Sequence, residues 1–158
     1  MNTGDREEVE DEGDPAIPLI RCRFTIVGDE RFDPDEVTRR TELSPSYVWR
    51  KGDAHATPSG RSLPPRPSSC WSIATERLSS IDLPAILDGL LDVVETHRSV
   101  FLEVAASTGA EIEVSAHIHM SDQTPIGSIS VATLRRIVGL NADFDLDLYV
   151  VDDVYLQG

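Results

Sequence analysis

A chain of 158 residues that is 40% hydrophobic is long enough to bury about two-thirds of its unfolded surface in one core and too apolar to be a disordered protein. Its 28 acidic residues outnumber 14 basic ones, for a net charge of −14. That field repels a phosphate backbone, which argues against nucleic acid as a ligand, and it attracts a basic protein partner.

Residues 1–15 carry seven carboxylates against the single cation Arg6 and read as a disordered acidic tail. They lack the basic start and apolar segment of a signal peptide. No apolar run further on approaches the roughly 18 residues of a membrane span, so no membrane partner is expected. Cys22 and Cys70 stand in neither metal nor redox spacing, as suits buried thiols in a reducing cytoplasm.

Residues 16–158 read as a single domain. In "PLIRCRFTIVG", Ile20, Cys22, Phe24 and Ile26 alternate with Arg21, Arg23 and Thr25, which predicts a half-buried strand. "DPDEVTRRTELSP" predicts a helix with Asp33 as N-cap, Pro34 at its first position and Glu36 three residues after the cap; Pro45 ends it at or before Ser44. Residues 46–70 hold prolines and glycines that exclude a helix. They predict a long basic loop, with a short strand at Tyr47–Arg50. "CWSIAT" predicts a strand with Trp71 and Ile73 on one face.

In "DLPAILDGLLDVVETH", Leu83, Ile86, Leu87, Leu90, Leu91 and Val94 fall on one helical stripe, with Asp82 as the cap. A second helix runs from about Ser99 to Ser107 and ends at Gly109. "EIEVSAHIHMSD" alternates again, with Ile112, Val114, Ala116, Ile118 and Met120 opposite Glu113, Ser115, His117 and His119. "SISVATLRRIVGL" predicts a helix capped by Ser130, with Leu134, Ile137 and Val138 inward and Gly139 at its end. In the closing "FDLDLYVV", Phe144, Leu146 and Leu148 alternate with Asp145, Asp147 and Tyr149.

A strand, a capped helix and a strand occur near both ends of the domain. This order predicts an α+β fold, a mixed and mainly antiparallel sheet with helices on one face. It would contain two βαβ-like units, ferredoxin-like in spirit. The ordered set "FTIVG", "FDPDEVT", "LSP", "KGD", "WSI" and "DLDLY", spanning residues 24 to 149, resembles the bacterial domain-of-unknown-function family 4279. The resemblance implies a compact, single-domain cytoplasmic protein and carries over no catalytic residue. Family members usually show Gly before the residue matching Leu43, where this chain has Glu42. The departure bears on how the first helix ends.

His117 and His119 share one strand face, about 7 Å apart by strand rise. If the last strand lies beside theirs, Asp145 and Asp147 reach the imidazoles and the four could hold Zn, Mn or Fe. If it lies beside the first strand instead, the aspartates pair with Arg21 and Arg23 and the histidines are plain surface. Cys22 falls on a core face, no G-x-S-x-G elbow occurs and no phosphate-binding glycine loop is present. No catalytic residue and no cofactor is therefore expected. The leading expectation is a non-enzymatic cytoplasmic protein, immunity-protein-like, that recognises a basic protein through Trp49, Arg50, Lys51, Arg21, Arg23 and Tyr149. The alternative is a small metal- or ligand-binding enzyme built on His117, His119, Asp145 and Asp147. A homodimer paired through the sheet face is a third arrangement.

Overall fold

In the computed structural model the described residues are 16–150, so the acidic stretch read as a tail lies outside them. Three helix starts follow from their caps. Asp33 accepts from the Asp35 amide at 3.1 Å and opens α1 (Pro34–Thr41); Asp82 accepts from the Ala85 amide at 3.1 Å and opens α2 (Leu83–Glu95). Ser130 accepts from the Thr133 amide at 3.1 Å and opens α4 (Val131–Gly139). Between α2 and α4 lies α3 (Arg98–Thr108), which ends on Gly109 in the left-handed region at φ 74°.

The strands are β1 (Leu19–Gly28), β2 (Tyr47–Trp49), β3 (His55–Ala56), β4 (Ser62–Leu63), β5 (Ser69–Ala74), β6 (Leu78–Ser79), β7 (Glu111–Met120) and β8 (Ala142–Val150). The main sheet runs β2-β5-β1-β7-β8, with β6 paired to the start of β1. Every pairing is antiparallel except β7–β8. The path β1-α1-β2-β5-α2-α3-β7, with sheet order β2-β5-β1-β7, is a split βαβ arrangement. The segment α4-β8 adds one parallel strand to it. The fold is therefore α+β with a mixed, mostly antiparallel sheet. Both expected strand–helix–strand units exist, but they close differently: β7 and β8 are neighbours, whereas β1 and β2 have β5 between them.

The apolar rows of β1, β5 and β7 meet the helices in one core. Phe101 of α3 packs between Phe24 and Trp71, with ring centroids at 4.7 and 5.8 Å. The indole nitrogen of Trp71 donates to Thr38 of α1 at 2.9 Å. All six predicted inward residues of α2 are buried. Truncating one of its leucines to alanine costs about 2–5 kcal/mol.

Two expectations are corrected. Within residues 46–70 the expected short strand is present as β2, which joins the sheet, but the rest is not plain loop, since β3 and β4 form a two-stranded ribbon. The ribbon tolerates the prolines because Pro58, Pro64, Pro65 and Pro67 lie outside its paired residues and need give no amide hydrogen to it. On α4, Leu134 and Val138 face outward, while Thr133 and Ile137 are buried. The rotation is fixed by Arg136, which reaches Asp88, Asp92 and Glu95 of α2 at 3.1, 2.6 and 2.9 Å. On β8, Phe144 packs on the core, but Leu146 and Leu148 are 46% and 55% exposed. The clamp draws α4 towards α2 and leaves that end of the strand uncovered.

Candidate functional site

Side chains alternate across a strand, so the β1 residues that face away from the helices are Arg21, Arg23 and Thr25. β7 lies between β1 and β8, and the two registers align three rows across the sheet. Leu19, His119 and Tyr149 form one; Arg21, His117 and Asp147 the next; Arg23, Ser115 and Asp145 the third. The aspartates thus adjoin the histidine strand, and the expected Arg–Asp cross-strand pairs do not form because β7 intervenes.

His117 is held at both nitrogens. Nδ1 lies 3.0 Å from a carboxylate oxygen of Asp147, and Nε2 lies 3.2 Å from the Ser115 hydroxyl. Burial, followed by the Arg23 charge, holds its pKa below the ordinary histidine value despite Asp147. Burial, followed by Arg77, does the same to His119, whose ring stacks on Tyr149 at 4.9 Å. Both imidazoles are therefore neutral at pH 7, where the neutral Nδ1–H of His117 donates to Asp147 and Nε2 accepts from Ser115. Burial, followed by Asp145, raises the pKa of Glu113 on the same face.

Beside the histidines, Arg21 and Arg23 lie over the Tyr47 ring, 5.4 and 4.7 Å from its centroid. Arg21 also donates from Nε to the Thr75 carbonyl at 3.0 Å. With Arg77, His117, His119 and Tyr149 these residues line a cavity of about 160 Å³. The positive charge of this cavity belongs to arginine, in a chain that is acidic overall.

The metal arrangement does not assemble. His117 spends both nitrogens on Asp147 and Ser115, and Asp145 accepts from the Leu146 amide at 2.9 Å. Among the described residues no group of three or more His, Cys, Asp or Glu side chains is placed to hold a metal ion. Ser115, His117 and Asp147 do make a hydroxyl–imidazole–carboxylate relay. Ser115 is only 1% exposed and does not line the cavity, so its hydroxyl orients the ring and meets no substrate.

The structure separates the partner-binding residues expected from sequence. Arg21, Arg23 and Tyr149 share the cavity. Trp49, Arg50 and Lys51 do not line it and are engaged within the chain. Arg66 covers the Trp49 ring at 4.2 Å, Arg50 pairs with Asp33 and Asp35, and Lys51 pairs with Glu30. Tyr47 and Arg77 were invisible as site residues. Tyr47 sits on the short strand expected within residues 46–70, Arg77 just before the two-residue β6, and only non-local pairing brings them to the arginines of β1.

The family model for Domain of unknown function (DUF4279) matches residues 18–151, and the chain belongs to that family. Neither curated proteins nor solved structures give a match.

Proposed function

We propose that this chain is a bacterial, cytoplasmic, non-enzymatic binding protein that captures a basic protein, as an immunity protein would, and that β8 is its docking edge. The observation that carries the reading is the combination of features on that strand. β8 ends the sheet, so one side of its backbone has no strand partner among the described residues. Leu146, Leu148 and Val150 form an apolar row that is 46%, 55% and 76% exposed. Asp143, Asp145 and Asp147 form an acidic row on the opposite face. An extended segment alternating apolar and basic residues would gain ladder hydrogen bonds, bury the apolar row and meet the carboxylates. A second copy of the chain is a poorer occupant, because antiparallel β8–β8 pairing centred on Leu146 sets the two aspartate rows opposite each other.

A synthetic peptide alternating Val and Lys tests this. It is expected to bind saturably, to perturb the amides of β8 first, and to weaken as salt is raised. Leu148→Lys should abolish binding without unfolding the protein, since that side chain is more than half exposed. Equal binding of a Val–Glu peptide, or perturbation confined to other strands, would overturn the reading.

A second reading, a small ligand-binding enzyme on the outward sheet face, is favoured by one observation. His119 is a neutral imidazole at the wall of a cavity, and its ring nitrogens have no hydrogen-bond partner among the described residues, which leaves one nitrogen free to act as a general base. Turnover of small ester substrates that disappears in a folded His119→Gln variant would support it; turnover unchanged in that variant would refute it.

A further inference from the structure

We infer that the cavity on the outward sheet face is a binding site for a small phosphate ester, gripped by Arg21, Arg23 and Arg77. The inference does not depend on the β8 docking edge. A half-buried cation normally has a carboxylate beside it, because removing charge from water without compensation is costly. Arg136, half-buried on α4, has three. Arg21 and Arg23 are also half-buried, yet neither they nor Arg77 have a carboxylate oxygen within 4 Å among the described residues. The Nε–H of Arg23 is buried with no hydrogen-bond partner among the described residues. Asp147, the carboxylate aligned with Arg21, is engaged by His117. In a chain with 28 acidic residues, a carboxylate could readily have occupied this place, and three guanidinium groups line the cavity without one.

The class of ligand follows from charge, shape and size. Guanidinium groups on three separate positions can each meet an oxygen of a tetrahedral phosphate, whereas a carboxylate offers two oxygens in one plane and a single charge. Tyr47 beneath Arg21 and Arg23 holds both side chains in place before the ligand arrives, which reduces the entropy lost on binding. The ring nitrogens of His119 have no hydrogen-bond partner among the described residues, and its ring lines the same cavity. A volume of about 160 Å³ corresponds to roughly five waters at about 30 Å³ each. That is room for one phosphate and a short stem inside the cavity. The net charge does not preclude binding, because the field of distant carboxylates is screened within about 8 Å at physiological salt.

Titration of the full chain with inorganic phosphate, then with glycerol phosphate and with acetate, followed by amide NMR, tests the inference. Phosphate and glycerol phosphate are expected to shift the amides of β1, β7 and the Arg77 segment saturably, and acetate to bind at least about tenfold more weakly. Arg77→Gln removes an exposed side chain without touching the core, and should weaken phosphate about tenfold, the loss of one charge-assisted contact. Arg39→Gln, on the exposed face of α1, should leave binding unchanged. Absence of saturable shifts, acetate binding as tightly as phosphate, or equal weakening by Arg39→Gln and Arg77→Gln would each overturn it.

Discussion

Replacing Glu42 by Gly should stabilise this protein, because Glu42 stands at a helix end whose left-handed backbone favours glycine. Glu42 caps α1 with φ 59° and ψ 11°, in the left-handed region, and its amide donates to the Thr38 carbonyl at 2.8 Å. Holding a side-chain-bearing residue there costs roughly 1–2 kcal/mol from contact between Cβ and the following carbonyl. Glycine removes that contact but widens the unfolded ensemble, which returns about 0.5–1 kcal/mol. A second gain is electrostatic: an anion at a helix C-terminus opposes the macrodipole, by about 0.3–1 kcal/mol when exposed. Glu42 is exposed and makes no ion pair among the described residues that would be lost. The net expectation is a stabilisation of about 1 kcal/mol, or a melting temperature about 2–4 °C higher for a domain of this size. Urea denaturation should show a raised midpoint with an unchanged slope. Glu42→Ala separates the two contributions, since it removes the charge but keeps the strained backbone, and should recover only the smaller part. If Glu42→Gly proves less stable than Glu42→Ala, the strain argument is wrong.

The buried histidines set a pH dependence. Because the folded pKa of His117 lies below its unfolded value of 6.5, its contribution is fully present above that value and is lost as pH falls through 6.5 towards the folded pKa. His119 acts in the same direction and Glu113 in the opposite one at lower pH. Denaturation midpoints measured between about pH 7 and pH 5 should therefore fall less in His117→Gln than in the wild type; parallel curves would refute this. The thiols should be silent in the native protein. Burial lifts Cys22 to about 12 and Cys70 to about 11, so neither should react with a disulfide reagent at pH 8, and both should react in guanidinium. Arg136→Ala should destabilise by about 1–3 kcal/mol, because it leaves Asp88, Asp92 and Glu95 facing one another without their cation. Added salt, which screens that repulsion, should restore part of the loss in a thermal melt.

What could be read from the sequence was local. The α2 stripe, the caps Asp33, Asp82 and Ser130, and the alternation of β1 and β7 each depend on residues within a turn or two of one another. What could not be read depends on distant partners. The outward turn of Leu134 and Val138 follows from Arg136 meeting carboxylates more than 40 residues away, and no helical period encodes such a clamp. The left-handed position after α4 falls on Asn141 at φ 52° and not on Gly139, a shift of two residues that the glycine alone could not reveal. The site was half legible. Alternation placed Arg21, Arg23, His117, His119, Asp147 and Tyr149 on outward faces, but which faces adjoin is a property of strand order.

Strand order also changes the meaning of the net charge. A total of −14 suggested a uniformly acidic surface, yet the sheet sorts its charges by strand. Acid collects on the outer face of β8 and on Glu113, and arginine collects on β1 and before β6, with a strand carrying neutral histidines between them. With the screening length at about 8 Å and neighbouring strands about 4.8 Å apart, β1 and β8 lie about 9.6 Å from each other across β7. The charges of the two strands are thus partly screened from one another. One sheet face can then hold an anion over β1 and attract a cationic strand along β8, and His117 touches both, through Asp147 on one side and the arginine-lined cavity on the other. Protonating that single ring would strengthen the hold on an anion and offset the charge of Asp147 in the acidic row. With an oxyanion of constant charge such as sulfate, the two binding events should therefore respond to acid in opposite directions, the anion tightening and a basic strand weakening. The same direction for both would show that His117 does not link the two sites in this way.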